Sequence, residues 1–551
     1  MIPAPLRRRF PLLGIVLTPM LAFAAPMTEE NGSDEVLVGE VIILGKEVFN
    51  PSVPGYDRFP FSWLNALHVK TRRDVIREAI LFHEGDSYDP EVLEETERNL
   101  RALSFINFAS VVPGERRGNV QDVVVETHDI WSTQLSVALE KGESGAEGGG
   151  ELDIRLEEQN VLGRGKRFEV SYHRTGDDDG FGWLYADPLV LGRRWTARAY
   201  RRDLDDGKEW GADFRRPFYS LDARWGGGGR IIYDSRDDRV FRRDREIGRF
   251  VREFRWESAG VSRMLGDRYR KLLIGAEIVR ERRTHDDLRF PEDAEPDTTI
   301  LPGSEDLGHL PLSVRLGRFR FVEESRIDYF DQVEDIELGG FGALSFGPVW
   351  RSAARWRLAT ETHFGFSAGP GRYTFLSARL TSERHDEEWR RTVLSSDAKY
   401  YHRWSPRNTF VARFLWEEAW KVEAGREYFV DGSNGMRGYE GRSDIGQRRM
   451  VLNLENRVFS DLQWLTVAFG GALFFDVGAA WDRDEPVRAE DLHSTAGLGL
   501  RLGLMKIREA KAIRIDVARD LRRGTLLLEV DLGHLFLTGR PFGDFVRSSG
   551  P

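Results

Sequence analysis

Cysteine is absent from the 551 residues, which excludes disulfides, thiolate metal sites and cysteine nucleophiles and leaves packing and backbone hydrogen bonding to hold the fold. A concentrated basic face is also missing. The formal net charge is -10 and the pI is near 5.7, which argues against a nucleic-acid partner. Beyond Ala25 no stretch approaches a transmembrane helix, so membrane residence has to take the form of a β-barrel, the other structure that satisfies its own backbone in lipid. Catalytic signatures are thin. Gly365-Phe366-Ser367-Ala368-Gly369 has the spacing of a hydrolase nucleophile elbow, but Pro370-Gly371 and the strand-like Tyr373 to Leu380 follow where the elbow needs a helix, so a hairpin turn fits better. Gly226 to Gly229 lacks the spacing of a phosphate loop and reads as a glycine kink in a curved strand. No enzymatic activity, cofactor or metal site is expected.

What is present begins with Arg7, Arg8 and Arg9, an apolar run from Phe10 to Ala25 and the small-x-small triplet Ala22-Phe23-Ala24. This is the layout of a secretory signal, with cleavage expected after Ala24; a retained anchor is the alternative, but the run is short for a span and ends at Pro26. Residues 34–130 read as a small α/β domain in the order β-α-α-β-β. Val36 to Leu44 is a buried strand, followed by an insertion rich in Pro, Phe and Trp at about Phe49 to Val69. Thr71 with Asp74 forms a helix-start pattern ahead of Val75, Ile76, Ala79 and Ile80, and Asp89-Pro90 opens a second helix with Leu93, Thr96, Leu100 and Leu103 on one face. Ile106 to Val112 and Val120 to Thr127 close the unit as strands.

From Trp131 the chain reads as short strands and turns, which predicts a transmembrane antiparallel β-barrel over residues 131–536 with a tail at 537–551. Between sixteen and twenty segments can be drawn, and sixteen strands are expected. Alternation is clearest late. Met450, Leu452, Leu454 and Val458 share one face while Asn453, Glu455 and Arg457 share the other; Leu526, Leu528, Val530 and Leu532 oppose Glu529 and Asp531. Successive strands with one apolar and one charged face suit lipid outside and a polar lumen inside; a soluble sandwich is the alternative. The acidic turn Asp177-Asp178-Asp179 and the segment Arg283 to Leu310 are expected as external loops. Gly432 to Arg457 is a glycine-studded loop running into a strand, with Met436-Arg437-Gly438-Tyr439 at its centre, and its composition alone suits either a surface turn or a loop carried into a cavity.

Several motifs, in order, resemble the Omp85 superfamily of outer-membrane proteins. Val41 to Gly45, Leu81 to Asp89 and Leu100 to Ile106 are similar to its periplasmic POTRA module, of which one copy fits here. Asn160-Val161-Leu162-Gly163-Arg164-Gly165-Lys166 resembles the N-x-x-G-x-G turn near the start of the barrel, Met436 to Tyr439 the arginine-glycine-aromatic signature of the lumen-entering loop, Phe474-Phe475-Asp476-Val477-Gly478 the F-x-D-x-G strand, and Asp531 to Phe536 the terminal strand signal. The resemblance implies an outer-membrane barrel with a periplasmic POTRA-like domain. It also implies that Arg437, Gly438 and Tyr439 anchor the loop in the lumen, with Arg437 reaching Asp476. By strand parity Asp476 faces inward, as do Glu455 and Arg457, which either extend the network or make ordinary cross-strand pairs.

The first strand, about Thr133 to Glu140, and the last, Thr525 to Phe536, are then expected to form a seam that includes Leu135, Val137, Leu528, Val530, Gly533 and Phe536. The implied function is assistance to polypeptide insertion or translocation at the outer membrane, with a polypeptide client, surrounding lipid and periplasmic accessory proteins as partners. A passive channel is the alternative, and an exported hydrolase using Ser367 a remoter one. The tail after Phe536 departs from the family pattern, in which the terminal signal ends the chain.

Overall fold

The computed structural model describes residues 35–140, 151–174, 179–190, 194–242, 245–291, 296, 298–422, 428–432, 435–439, 445–506, 512–532 and 535–546. The expected signal at residues 1–24 lies outside them. So do Asp177 and Asp178 of the acidic turn, while Asp179 begins a strand. Among the described residues no helix is long and apolar enough to cross a membrane.

The amino-terminal unit contains β1 (Leu37–Lys46), α1 (Phe61–Leu67), α2 (Arg73–Ala79), α3 (Pro90–Ala102), β2 (Ile106–Arg117) and β3 (Val120–Asp129). Its sheet order is β1-β3-β2, with β1 parallel and β2 antiparallel to the central β3. Asp89 caps α3 by accepting the Glu91 N–H at 2.8 Å, and Pro90 occupies the first turn, where its missing N–H costs nothing. The apolar face of α3 packs Leu93 and Leu100 with Val75, Ile76 and Ala79 of α2 over Val123 and Val125 of the sheet. Two expectations change. The insertion contains a helix of its own, α1. The Thr71–Asp74 start pattern does not cap α2, which begins after Arg72 without a side-chain cap. Tertiary partners take Thr71 instead: its N–H donates to Asp129 Oδ2 (2.7 Å) and its hydroxyl accepts from Asn160 Nδ2 (2.8 Å).

Apart from the short pair Tyr428–Phe429 and Ile445–Gly446, the remaining strands close into one antiparallel barrel in which Leu526–Leu532 neighbours β4 (Thr133–Glu140). Among the described residues the barrel has twenty-one strand segments. Glu305–His309 and Leu312–Glu324 share both neighbours and are halves of one strand interrupted at Leu310-Pro311, so there are twenty strand positions rather than the expected sixteen. The shortfall arose because single barrel strands carry weak signals. Much of Arg283 to Leu310, expected as loop, is strand: Arg270–Arg289 and Glu305–His309 pair with each other. Alternation sorts the residues as expected, with Asn453, Glu455 and Arg457 buried inside and Leu498 and Leu528 exposed outside. Ser367 ends the strand Ala354–Ser367, and the chain returns as Arg372–His385, a hairpin.

The amino-terminal unit sits against one end of the barrel. Arg101 of α3 is buried and donates to Glu323 (2.6 Å) and to both carboxylate oxygens of Asp335 (2.6 and 3.0 Å), at the ends of neighbouring strands Leu312–Glu324 and Glu334–Trp350. Arg98 lies 4.4 Å from the Phe321 ring centre on the same hairpin. Glu95 accepts the Leu221 N–H (2.5 Å) and an Arg268 N–H (2.6 Å). The Asn160–Lys166 turn is also part of this contact. Gly163 has φ +72, and a Cβ there would stand 2.3 Å from the Lys70 carbonyl oxygen, so only glycine lets the turn approach the unit this closely.

The described residues beyond Leu532 lie within the barrel. Residues 535–546 run inside it and end in α4 (Pro541–Val546), whose Phe545 is buried with Phe319 and Phe341 of the wall.

Candidate functional site

Within the lumen the loop residues 435–439 meet the strands Arg448–Trp464 and Val467–Trp481. Met436 and Tyr439 insert among Leu415, Val430, Val451 and Ala480, which seats the loop through apolar contact. Gly438 has φ +69, and a Cβ there would lie 2.2 Å from Ala518 Cβ; its N–H donates to Glu529 Oε1 at 2.7 Å. The Tyr439 ring centre is 4.5 Å from that of His493.

Arg437 is fully buried between these supports. Its Nε and Nη2 donate to Asp476 Oδ2 and Oδ1 at 2.8 and 2.9 Å, the two-point fork that lysine cannot reproduce. Nη1 donates to Glu455, and the guanidinium lies 3.8 Å from the Phe474 ring centre. Asn453 Nδ2 ties both parts together by donating to Asp476 Oδ1 (2.8 Å) and to the Gly435 carbonyl (2.6 Å). One arginine between two carboxylates leaves an excess of negative charge, and Arg457 and Arg501 offset it. Arg457 donates to Glu455 Oε1 at 2.8 Å, and Arg501 stands 3.5 Å from Glu455 and 2.6 Å from Asp516. A buried network of this kind is stable only when its members are mutually satisfied.

The structure therefore brings Arg437, Gly438, Tyr439, Asp476, Glu455 and Arg457 together. Arg457 reaches further than cross-strand pairing. It donates to Asp328 Oδ1 (2.7 Å), the Ile327 carbonyl (3.1 Å) and the Phe536 carbonyl (2.9 Å), so it joins the loop network to the tail. Asp328 and the tail were missed because both lie in irregular segments far from Arg457 in sequence. Glu529 was placed inward by parity; only its loop partner was hidden.

Of the seam residues, Leu135, Val137, Leu528 and Val530 are exposed on β4 and its neighbour Leu526–Leu532. Gly533 lies outside the described residues. Phe536 does not stand at the seam. It is buried in the lumen with Ile327, Tyr373, Tyr401 and Val411, because the last strand ends at Leu532 and the chain then turns inward.

Residues 365–511 match the family described as the Omp85 superfamily domain. No curated protein sequence matches the chain. Among solved structures, BamA from Haemophilus ducreyi lacking POTRA domains 1-3 is similar at 11% identity and a TM-score of 0.38, with 91% of this chain and 84% of that chain covered. CdiB from Acinetobacter baumannii is similar at 10% identity and a TM-score of 0.43, covering 88% and 70%. CdiB from Escherichia coli is similar at 13% identity and a TM-score of 0.43, covering 90% and 74%. Arg437, Glu455, Arg457 and Asp476 all fall inside the segment that is similar to the Omp85 superfamily domain.

Proposed function

We propose that this chain is an outer-membrane protein that assists the insertion or translocation of polypeptides, with its amino-terminal unit in the periplasm. The observation that carries the reading is the locked loop inside the Omp85 superfamily segment: Arg437 held by Asp476 and Glu455. Two further features support it. The sheet of the amino-terminal unit has β1 and β2 as edges; residues 85–88 already bond to the first half of β1, so β2 is the edge that can take an extended client by backbone hydrogen bonding. Exposed Leu135, Val137, Leu528 and Val530 on the neighbouring β4 and Leu526–Leu532 support a lipid-facing seam as the point where a client would enter. No catalytic step is assigned. Depletion of the protein, with the outer-membrane, surface and secreted proteomes then quantified, tests the reading. Loss of a subset of barrel or secreted proteins is expected, and unchanged proteomes sink it.

A passive channel is the second reading, favoured by a lumen cavity of about 430 Å³ lined by charges of both signs, Arg155, Arg198, Arg202 and Arg230 with Glu169, Glu209 and Asp213. A stable, solute-selective conductance with no effect on any proteome supports that reading instead.

A further inference from the structure

We propose that the barrel wall carries a peptide-binding site for a short aromatic segment, and that residues 535–546 of this chain are its resident, displaceable occupant. The inference extends the client-handling reading, since a segment of similar chemistry entering from the periplasmic end is what the site would accept.

The wall meets α4 as a receptor meets a ligand. Glu337, buried, accepts the N–H groups of Phe542 (2.8 Å) and Gly543 (3.0 Å) from the first turn. Arg315, also buried, donates to the carbonyls of Asp544 (3.0 Å) and Phe545 (2.7 Å) at the other end. These are the backbone groups that a short helical turn cannot satisfy internally, and two wall side chains of opposite charge satisfy both sets. Between them Phe545 enters an aromatic slot, with ring centres 4.9 Å from Phe319 and 5.6 Å from Phe341. Phe542, three residues earlier, meets Phe319 at 5.2 Å. Asp544 Oδ2 stands 3.3 Å from His363 Nδ1.

The approach to α4 is fixed in the same manner. Thr538 donates through its N–H (2.8 Å) and hydroxyl (2.9 Å) to Asp328, and Lys399 donates to the Leu537 carbonyl at 3.0 Å. The wall thus reads backbone groups, two aromatic rings three positions apart and one carboxylate. Any segment offering these can take the place of the tail. Space for exchange is at hand: Gly543 and Val546 border a cavity of about 300 Å³ that the side-chain-free run Gly226 to Gly229 also lines.

The absence of cysteine makes the test direct. In the full-length, detergent-purified protein, Val546→Cys reports exposure of the tail to a bulky maleimide. A synthetic peptide of residues 538–546 is expected to raise the labelling rate at least tenfold at saturation, and a scrambled peptide to leave it unchanged. Phe545→Ala in the same background is expected to raise the rate without peptide, with folding checked by the heat-dependent gel mobility of the barrel. A second variant, His363→Cys with Asp544→Cys, locks the tail when oxidised. In that variant, with Val546 left unchanged, tail occupancy is read by hydrogen exchange at residues 535–546, and the peptide effect should vanish in the oxidised form and return on reduction. A labelling rate indifferent to the native peptide, or one raised equally by the scrambled peptide, overturns the proposal. Because no client or membrane is present, this result is independent of the proteome experiment: the site can fail while the function holds, and the reverse.

Discussion

At the scale of single residues the lumen lock depends on a fully buried arginine held by two carboxylates. Arg437→Ala leaves the buried Asp476 without its arginine and Glu455 with only Arg457 and Arg501, and removal of one member of such a set costs about 3–5 kcal/mol. The expected outcome is faster hydrogen exchange at residues 435–439 and new protease cleavage in the loop, with Arg437→Lys intermediate because it retains the charge but loses the fork. Arg457→Ala should act elsewhere first, raising exchange at residues 535–538 more than at the loop, since Asp328 and the Phe536 carbonyl lose their donor. Equal effects of the two alanine variants on both segments would refute this division. Much of the lock was legible in the sequence because strand parity assigns a side to each residue: Asp476, Glu455 and Arg457 oppose Phe475, Val477, Leu454 and Val458, while the pairing of Arg437 with Asp476 was implied by the resemblance. Asp328 was not legible. A carboxylate in a turn has no periodicity, and only the closed barrel brings it to Arg457.

Elements are governed by what caps and covers them. The helix α4 is only six residues long and depends on the wall for both ends and for its aromatic face. Phe545→Ala removes a buried ring, and truncations of this kind cost about 3–5 kcal/mol, so protection of residues 535–546 against exchange should be largely lost while the barrel strands keep theirs. The helix was invisible in the sequence, where Pro541 to Val546 is too short for a helical period to register. By contrast α3, thirteen residues with Asp89 as its cap and Pro90 after it, was plain. The same helix supplies a pH dependence. Burial pushes the Glu95 carboxyl above its ordinary 4.5, against the opposing Leu221 N–H and Arg268. The folded state then holds the proton more tightly than the unfolded one, so this contribution is present below pH 4.5 and is lost as pH rises through the elevated value. Exchange protection of α3 should decline across that window, and Glu95→Gln should flatten the decline.

Across the whole molecule, one hairpin connects the parts. Leu312–Glu324 and Glu334–Trp350 carry Glu323 and Asp335, which hold Arg101 of the amino-terminal unit, and also Arg315, Phe319, Glu337 and Phe341, which hold α4. The barrel as a class could be read from alternation and the absence of an apolar helix, but its circumference could not, because a strand interrupted at Leu310-Pro311 and strands longer than their apolar cores blur the count. Arg101→Ala should detach the unit from this hairpin, seen as a broader distance distribution between spin labels on α3 and on the barrel rim.

Phe321 makes the sharing of this hairpin concrete: one ring, with the Arg98 guanidinium 4.4 Å from its centre and Phe542 at 6.0 Å. If occupancy of the lumen by the tail alters the affinity of the unit for this ring and its neighbours, thermodynamic reciprocity requires the unit to alter the affinity of the tail by the same factor. A polypeptide pulling on the amino-terminal sheet and one pressing into the lumen would then act on a single equilibrium from opposite ends, and each could be measured through its effect on the other.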